Sequence, residues 1–275
     1  MFSGYYLRGE QLLESLPVHR ELTEATYDAI LVHTYLSGIF EGQGKFPQSI
    51  EHGDEGIRLA EARGTPQLLA NAILFSAMSA SAQGDFARAI GLAERILALC
   101  RKWNLTMMSA SAKAMLGQAY ALSGRVAEGV PMLEEGVTAM ATMRHGGGIA
   151  LFQLYLGQAY LAAGRIADAS AVGEKALAVA REGGQRGIEG RAHCFLGEIA
   201  LHQDRHDQAE RCFLDALALA EACGSPPLAA HCHFGYATLY RSAGAERQAR
   251  DHLATATAMY RAMGMTYWLE RVEGT

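Results

Sequence analysis

The sequence predicts an all-α fold: a right-handed α-solenoid of antiparallel helix pairs, with about six repeats and partial repeats at both ends. A short segment recurs at a fixed spacing of 40 residues, and each spacing holds two helix-stop signals. Between the stops, apolar residues recur every three or four positions, which is the period of a helix. Strand-like alternation is missing throughout. These observations together favour two helices per repeat.

The recurring segment is clearest at Met115–Glu128, MLGQAYALSGRVAE, and returns as YLGQAYLAAGRIAD at Tyr155–Asp168. The residue at its break forms a series without insertion or deletion: Gly44, Gly84, Gly124, Gly164, Asp204 and Gly244. A second series marks the end of the following helix: Gly64, Asn104, Arg144, Gly184, Gly224 and Gly264. Glycine and asparagine are the residues that a left-handed helix C-cap prefers. Arg144 is the exception, and the three glycines directly after it can supply that turn.

The stops predict where each helix begins and ends. The first helices of the pairs are expected near residues 24–42, 66–82, 106–122, 148–162, 187–202 and 226–242. Their partners are expected near residues 46–62, 86–103, 126–143, 166–182, 206–222 and 246–263. We therefore predict a partial N-terminal repeat or cap at 1–23, six helix pairs at 24–264 and a C-terminal capping helix at 265–275. The truncated front suggests that further chain precedes Met1; the alternative is a divergent cap on an intact protein.

Two series of small residues predict that the paired helices cross closely. The first helices carry Ser37, Ala77, Gly117, Gly157, Gly197 and Ala237 at one repeated position. The second helices carry Ser49, Ala89, Gly129, Ala169, Ala209 and Ala249. Small side chains on both sides of a crossing let the two backbones approach each other.

The motifs resemble the tetratricopeptide repeat, whose signature is W-x2-L-G-x2-Y, then A-x3-F, then P. Leu116-Gly117-x2-Tyr120 matches its first part, and Ala209-x3-Phe213 matches its second. The signature Trp is replaced, by His33, Ile73, Lys113, Gln153, His193 and His233. The closing Pro is absent, and the period is 40 residues instead of about 34. The resemblance spans residues 24–263.

The long period is similar to the tetratricopeptide regions of bacterial multidomain signalling proteins. These include transcription activators of the maltose-regulator type and adenylate or guanylate cyclases with C-terminal repeats, in which an ATPase module precedes the repeats. The segment Met259–Glu270 resembles the end of such cyclase-linked arrays. No phosphate loop of the form GxxxxGK[ST] occurs in the sequence.

The resemblance implies that the first helix of each pair lines a concave groove. Three repeated positions on the first helices then face the ligand, and we predict that the site is formed by Asn71, Leu74, Met78, Gln118, Leu151, Leu154, Gln158, Arg191, Cys194, Glu198, His231 and Phe234. Such a lining suits an extended or helical peptide. The alternative for some of these residues is an ordinary contact between repeats. The basic set that clamps a peptide C-terminus in this family is absent.

The predicted function is therefore a non-enzymatic scaffold that binds a protein segment or peptide, as a regulatory domain of a bacterial signalling protein. The alternative is a small-molecule or signal-peptide sensor whose superhelix changes conformation when the ligand binds. An enclosed pocket at Arg191, Glu198 and His231 would favour the sensor, and a long open groove would favour the scaffold. The sequence does not determine the oligomeric state, and a homodimer is compatible with it.

Composition excludes several classes of partner. The net charge is -5 with a pI near 6.1 and no basic block, so direct binding of nucleic acid is not expected. The sequence contains no run of 18 apolar residues, so no membrane span is predicted. The N-terminus does not resemble a signal peptide. The five cysteines are odd in number and lack CxxC spacing, which favours reduced thiols in the cytoplasm.

Candidate chemical groups are few. Histidine and cysteine are dense near the C-terminal end, at His193, Cys194, His202, His206, Cys212 and His231–His233. These are zinc-ligand types, but they fall on different helix faces, so structural histidines and buried thiols are favoured over a metal site. The serines of the helix predicted near 66–82 lack His and Asp partners for a catalytic triad. Adjacent acids such as Glu134 and Glu135 point to different sides of a helix. We expect no enzyme activity, no cofactor and no metal.

Overall fold

The computed structural model describes residues 26–143 and 148–274. Within these ranges the chain forms thirteen α-helices and no strand: α1 Tyr27–Gly42, α2 Phe46–Arg63, α3 Pro66–Gln83, α4 Phe86–Trp103, α5 Thr106–Leu122, α6 Val126–Thr142, α7 Ile149–Ala162, α8 Ile166–Glu182, α9 Arg186–His202, α10 His206–Cys223, α11 Pro226–Ser242, α12 Glu246–Met263 and α13 Thr266–Glu273. The all-α fold class is confirmed. The largest difference from a predicted bound is at the first helix, which was expected from residue 24 and begins at Tyr27. The partial repeat expected at 1–23 lies outside the described residues.

The stop signals end helices as predicted. Gly64 and Gly264 cap their helices with φ values of 70° and 68°. Asn104 and Asp204 take the same left-handed conformation, with φ of 53° and 55°, because their short polar side chains tolerate it better than most. Arg144 lies outside the described residues.

The described helices form two compact units, one of α1–α6 and one of α7–α13. Within each unit every helix packs on the next, and successive first helices also contact each other: α1 with α3, α3 with α5, α7 with α9, and α9 with α11. The first helices of a unit thus lie side by side and form one surface. We call this surface the first-helix face of that unit.

Small residues in the N-terminal unit allow the close crossings that the sequence predicts. A Cβ added to Gly117 would lie 2.7 Å from the Gly129 carbonyl oxygen, and one added to Gly129 would lie 2.4 Å from the Gly117 carbonyl oxygen. Backbone therefore meets backbone where α5 crosses α6. At the α1–α2 crossing, the Ser49 hydroxyl donates to the Ser37 carbonyl over 2.7 Å and lies 2.7 Å from the Ser79 hydroxyl.

In the C-terminal unit, an aromatic ring lies at a helix crossing where small residues leave space. Phe213 on α10 is fully buried, and a Cβ at Gly197 or Gly235 would come within 2.6 or 2.4 Å of its ring. The glycines of α9 and α11 thus leave the space that one phenylalanine occupies. The short helix α13 closes the described chain against α12, with Met265 and Val272 buried.

Candidate functional site

The predicted groove residues divide by exposure. Five are buried: Leu74, Gln118, Leu151, Leu154 and Cys194. Seven are partly exposed: Asn71, Met78, Gln158, Arg191, Glu198, His231 and Phe234. A buried side chain contacts a ligand only if its neighbours move, so the second group contains the residues that can take part directly.

Gln118, one of the buried predicted residues, has a hydrogen-bond partner within the protein. Its side-chain oxygen accepts a hydrogen bond of 2.7 Å from the Ser81 hydroxyl, which joins α5 to α3. Gln118 therefore makes a contact between neighbouring repeats, which is the alternative that the sequence left open for some of the predicted groove residues. The accessible predicted residues of this unit are Asn71 and Met78, both on α3.

In the C-terminal unit, the predicted charged residues come together with three side chains that the sequence analysis did not assign. We call the set the C-terminal cluster, and it consists of Arg191, Glu198, His231, Tyr260, Trp268 and Arg271. These residues come from α9, α11, α12 and α13. The cluster therefore depends on the short final helix, which supplies two of its members.

His231 is the most closely held residue of the cluster. Its Nδ1 atom lies 2.7 Å from the hydroxyl of the fully buried Tyr260. The Trp268 ring stands edge-on to the imidazole, with ring centres 4.7 Å apart. Arg271 in turn lies over Trp268, with its guanidinium carbon 5.5 Å from the ring centre. Two aromatic residues thus fix both the imidazole and the neighbouring guanidinium.

The cluster alters the protonation of two of its members. Burial lowers the pKa of His231 to about 3, and the positive charges of Arg191 and Arg271 add to this effect, so the ring is neutral. Burial raises the pKa of Glu198 to about 7, although Arg271 acts in the opposite direction. Glu198 is therefore divided between its acid and its carboxylate form near neutral pH.

Cys194, which we predicted to face the ligand, is instead part of the core below the cluster. A hydrogen bond with Cys232, together with burial, raises the pKa of the Cys194 thiol well above its usual value. The Cys194 thiol is therefore not set up as a nucleophile or a metal ligand, because both roles need the thiolate. The described cysteines are all free thiols.

Of Tyr260, Trp268 and Arg271, only Arg271 could have been predicted from the sequence. Arg191, His231 and Arg271 follow one another at the same 40-residue spacing, and the predicted series ended one repeat too early because α13 was treated only as a cap. Tyr260 and Trp268 lie outside the three first-helix positions from which the groove was predicted. Their approach to His231 depends on how α12 and α13 pack.

Three of the residues at the place of the signature Trp, namely His33, Lys113 and His233, connect helices within a repeat. The Nδ1 atoms of His33 and His52 lie 2.9 Å apart, and the same distance separates those of His233 and His252. Lys113 forms an ion pair with Glu135. These histidines are thus satisfied structural groups. Among the described residues, no three His, Cys, Asp or Glu side chains are placed to hold one metal ion.

Two surface grooves lie beside the histidine pairs. One, of about 380 Å³, is lined by His33, Glu51, His52, Asp54, Glu55 and Arg58. The other, of about 430 Å³, is lined by Glu210, Arg211, Leu214, Leu217, Tyr236, Tyr240 and His252. Neither includes a predicted groove residue. In the described ranges, no helix combines the length and the apolar character that crossing a membrane requires.

Solved structures resemble this chain at low sequence identity, which shows the fold alone. A Rap protein in complex with competence and sporulation factor aligns with a TM-score of 0.62 at 13% identity, covering 89% of this chain and 76% of that one. A signal-transduction ATPase with a tetratricopeptide repeat sensor, from Pyrococcus horikoshii, aligns with a TM-score of 0.62 at 17% identity, covering 95% of this chain and 40% of that one. BtubC from P. vanneervenii aligns with a TM-score of 0.56 at 17% identity, covering 81% and 91%.

These neighbours confirm the helical-repeat architecture that the spacing predicts. No curated protein matches the sequence. The family model described as the MalT-like TPR region matches residues 70–274, which is most of the chain. The resemblance to the repeats of maltose-regulator-type proteins is therefore confirmed, and the chain belongs to the MalT-like TPR family.

Proposed function

We propose that this chain is a non-enzymatic interaction domain that binds a protein segment or peptide on a first-helix face. The C-terminal cluster is the observation that carries the proposal. It gathers arginine, histidine and aromatic side chains, several of them accessible, from four helices, and arginine and aromatic residues are enriched where proteins bind one another. The Rap neighbour, whose structure contains competence and sporulation factor, supports a ligand of this kind.

The wider role that we propose is regulatory. Family membership and the likeness to an ATPase with a repeat sensor support a place in a bacterial signalling protein of the cytoplasm. We propose that the ligand lies across the accessible predicted residues of the C-terminal unit, which are Gln158, Arg191, Glu198, His231 and Phe234. The net charge of -5 supports a partner other than nucleic acid.

A second candidate is a sensor of a small molecule or signal peptide. The observation that favours it is the position of α13, which places Trp268 against His231 and Arg271 near Glu198. A ligand that enters the cluster would contact this short helix, whose displacement would transmit the signal. Such a mechanism requires that the ligand bind one position of α13 more tightly than the other.

Peptide selection tests the first candidate. A library of displayed random dodecapeptides is panned on the purified chain, and the affinity of each selected peptide is measured by fluorescence polarisation. We expect the double variant Arg191→Glu, Gln158→Ala to bind the selected peptides at least about tenfold more weakly, a loss of about 1.4 kcal/mol.

The matched control is Arg250→Glu with Gln248→Ala, two exposed residues of α12. Circular dichroism establishes that both double variants fold. Equal affinity in all three proteins would place the ligand away from the predicted residues. Failure to select any peptide, combined with a small molecule that raises the melting temperature, would favour the sensor.

A further inference from the structure

An aromatic ring and a cation occur together at one repeated place of the chain. Four repeats carry an aromatic residue near the end of the first helix, namely Phe40, Tyr120, Tyr160 and Tyr240. In the first three, a cation five residues later lies over the ring. These cations are Lys45, Arg125 and Arg165, and their charged groups lie 5.4, 3.7 and 4.0 Å from the respective ring centres. The chain itself thus shows that an aromatic ring at this place binds a cation.

Tyr240 is the exception, because the residue five positions later is Ala245. The backbone there is the same as in the other repeats. The Ala245 amide donates to the Tyr240 carbonyl over 2.8 Å, and a bond of equal length joins Arg125 to Tyr120. Ala245 and Arg125 also precede their helices with nearly equal φ values of -88° and -87°. The last full repeat therefore keeps the turn and the ring but lacks the cationic side chain.

The Tyr240 ring lines the surface groove of about 430 Å³ between α10 and α12, which we call the Tyr240 groove. Its aromatic wall consists of Tyr236, Tyr240 and His252, whose rings stack with centres 4.9–5.9 Å apart. Leu214 and Leu217 form an apolar wall, and Leu214 is 60% exposed. The whole groove belongs to the C-terminal unit and shares no residue with the C-terminal cluster.

A carboxylate lies in the same groove. Glu210 is exposed, and its Oε1 atom accepts a hydrogen bond of 3.3 Å from the Tyr240 hydroxyl. An acid also accompanies the cation elsewhere, since Arg125 pairs with Glu128. The place of Glu128 is taken by Gln248 in the last full repeat. Glu210 thus supplies, from the preceding repeat, the negative charge that the local sequence lacks.

The ring and the carboxylate together favour a guanidinium group. Its plane stacks on an aromatic ring while its N–H groups donate to a carboxylate. The methylene stem of an arginine side chain covers apolar surface such as Leu214. Arg211 also lines the groove and is the opposing charge. His252 adds no positive charge at neutral pH, because burial lowers its pKa from 6.5.

We propose that the Tyr240 groove binds an arginine side chain of a partner protein, with the guanidinium on the Tyr240 ring and against the Glu210 carboxylate. The partner's arginine takes the place that an internal cation holds in the other repeats. A side chain also covers the exposed Leu214, which a free guanidinium ion would leave in water. This inference goes beyond the proposed function, because it assigns a second surface and the residue type that occupies it.

The test uses three acetylated and amidated tripeptides, which carry arginine, lysine or glutamine between two glycines. The chain is labelled at its leucine methyl groups and titrated with each tripeptide at constant ionic strength. Two-dimensional NMR spectra report binding through the Leu214 methyl signals, which are identified by their absence from the spectrum of Leu214→Met. Circular dichroism establishes that each variant folds.

We expect the arginine tripeptide to shift the Leu214 signals saturably, the lysine tripeptide to bind more weakly and the glutamine tripeptide to have no effect. Tyr240→Leu and Glu210→Gln should each weaken arginine binding about fivefold or more. Arg211→Gln should strengthen it, since this change removes the opposing charge. Glu221→Gln removes an exposed acid of the same helix, so it is the matched control and should leave the affinity unchanged.

A further variant restores the cation from within the chain. Ala245→Arg with Gln248→Glu recreates the arrangement of Arg125 and Glu128 on a backbone of the same conformation. We expect the new guanidinium to cover the Tyr240 ring, so that the arginine tripeptide no longer shifts the Leu214 signals.

The proposal is overturned if the glutamine or lysine tripeptide binds as tightly as the arginine tripeptide, or if none binds. It is also overturned if Tyr240→Leu and Glu210→Gln bind arginine as the parent protein does. Undiminished binding by the double variant Ala245→Arg, Gln248→Glu would contradict it as well. In each case, selected peptides whose binding depends on Arg191 would still support the proposed function.

Discussion

The hydroxyl of Tyr260 lies 2.7 Å from Nδ1 of His231, and this contact joins α12 to α11 within the C-terminal cluster. Tyr260 is completely buried, so water cannot replace the imidazole as its partner. The contact also occupies Nδ1 of a ring that remains neutral well below physiological pH. The pair thus joins two helices and orients an imidazole that burial and two arginine charges keep neutral.

Removing this hydroxyl should destabilise the C-terminal unit. Tyr260→Phe deprives His231 of its partner in a buried environment, and we expect the free energy of unfolding to fall by about 1–3 kcal/mol. Urea denaturation followed by circular dichroism measures the change. Tyr27→Phe serves as the control, since Tyr27 is 52% exposed. Equal losses in the two variants would show that the Tyr260 contact is not structurally important.

Glu198 should make the folded chain less stable as the pH rises. Its pKa is about 7 in the folded state and near 4.5 when unfolded, so folding retains a proton that the unfolded chain releases. The penalty is absent below pH 4.5, grows as the pH rises to about 7 and is constant above that. Glu198→Gln should therefore raise the free energy of unfolding at pH 8 by on the order of 1–3 kcal/mol, with little change at pH 4. A benefit of the same size at both pH values would contradict this account.

The histidine pair His233 and His252 should make the folded chain more stable as the pH rises. Burial and the neighbouring ring lower the pKa of His233, and burial lowers that of His252, from 6.5. The unfolded chain then binds more protons, so stability increases with pH up to and slightly above 6.5. Replacing both residues with glutamine should flatten the rise in unfolding free energy between pH 5 and pH 7. An unaltered slope in the double variant would contradict this account.

The glycine crossings can be tested with a matched pair of substitutions. A Cβ at Gly235 would lie 2.4 Å from the buried Phe213 ring, which has no room to move, so Gly235→Ala should cost about 1–3 kcal/mol. Gly91 lies mid-helix with no atom within 4 Å of an added Cβ, so Gly91→Ala should stabilise by about 0.5–1 kcal/mol. Melting curves distinguish the two. A neutral Gly235→Ala would mean that Phe213 has an alternative position.

The sequence predicted the helices closely because their ends depend on local backbone chemistry. Gly64 and Asn104 stop helices through the left-handed conformation that their own residue types permit. The crossing of Gly117 with Gly129 was also predictable, since both belong to repeated positions. By contrast, Phe213 contacts glycines of two different helices, which only the packing of the neighbouring repeat reveals.

The candidate site was less predictable. Arg191, Glu198 and His231 were found from the repeat position alone, and the structure places them in one cluster. Gln118 and Leu151 occupy equivalent places yet are buried, because contact between first helices depends on side-chain volume as well as on position. Tyr260 and Trp268 approach through tertiary packing of α12 and α13, for which the sequence pattern holds no signal.

The buried ring of Phe213 has a consequence for folding cooperativity. In a repeat array, stability is divided between individual repeats and the interfaces that join neighbours. One ring that fills space against both Gly197 and Gly235 belongs to two repeats at once, so neither can open without exposing it. Amide hydrogen exchange in α9 and α11 should therefore proceed through one shared opening event. The phenylalanine thus couples the two repeats into a single cooperative unit.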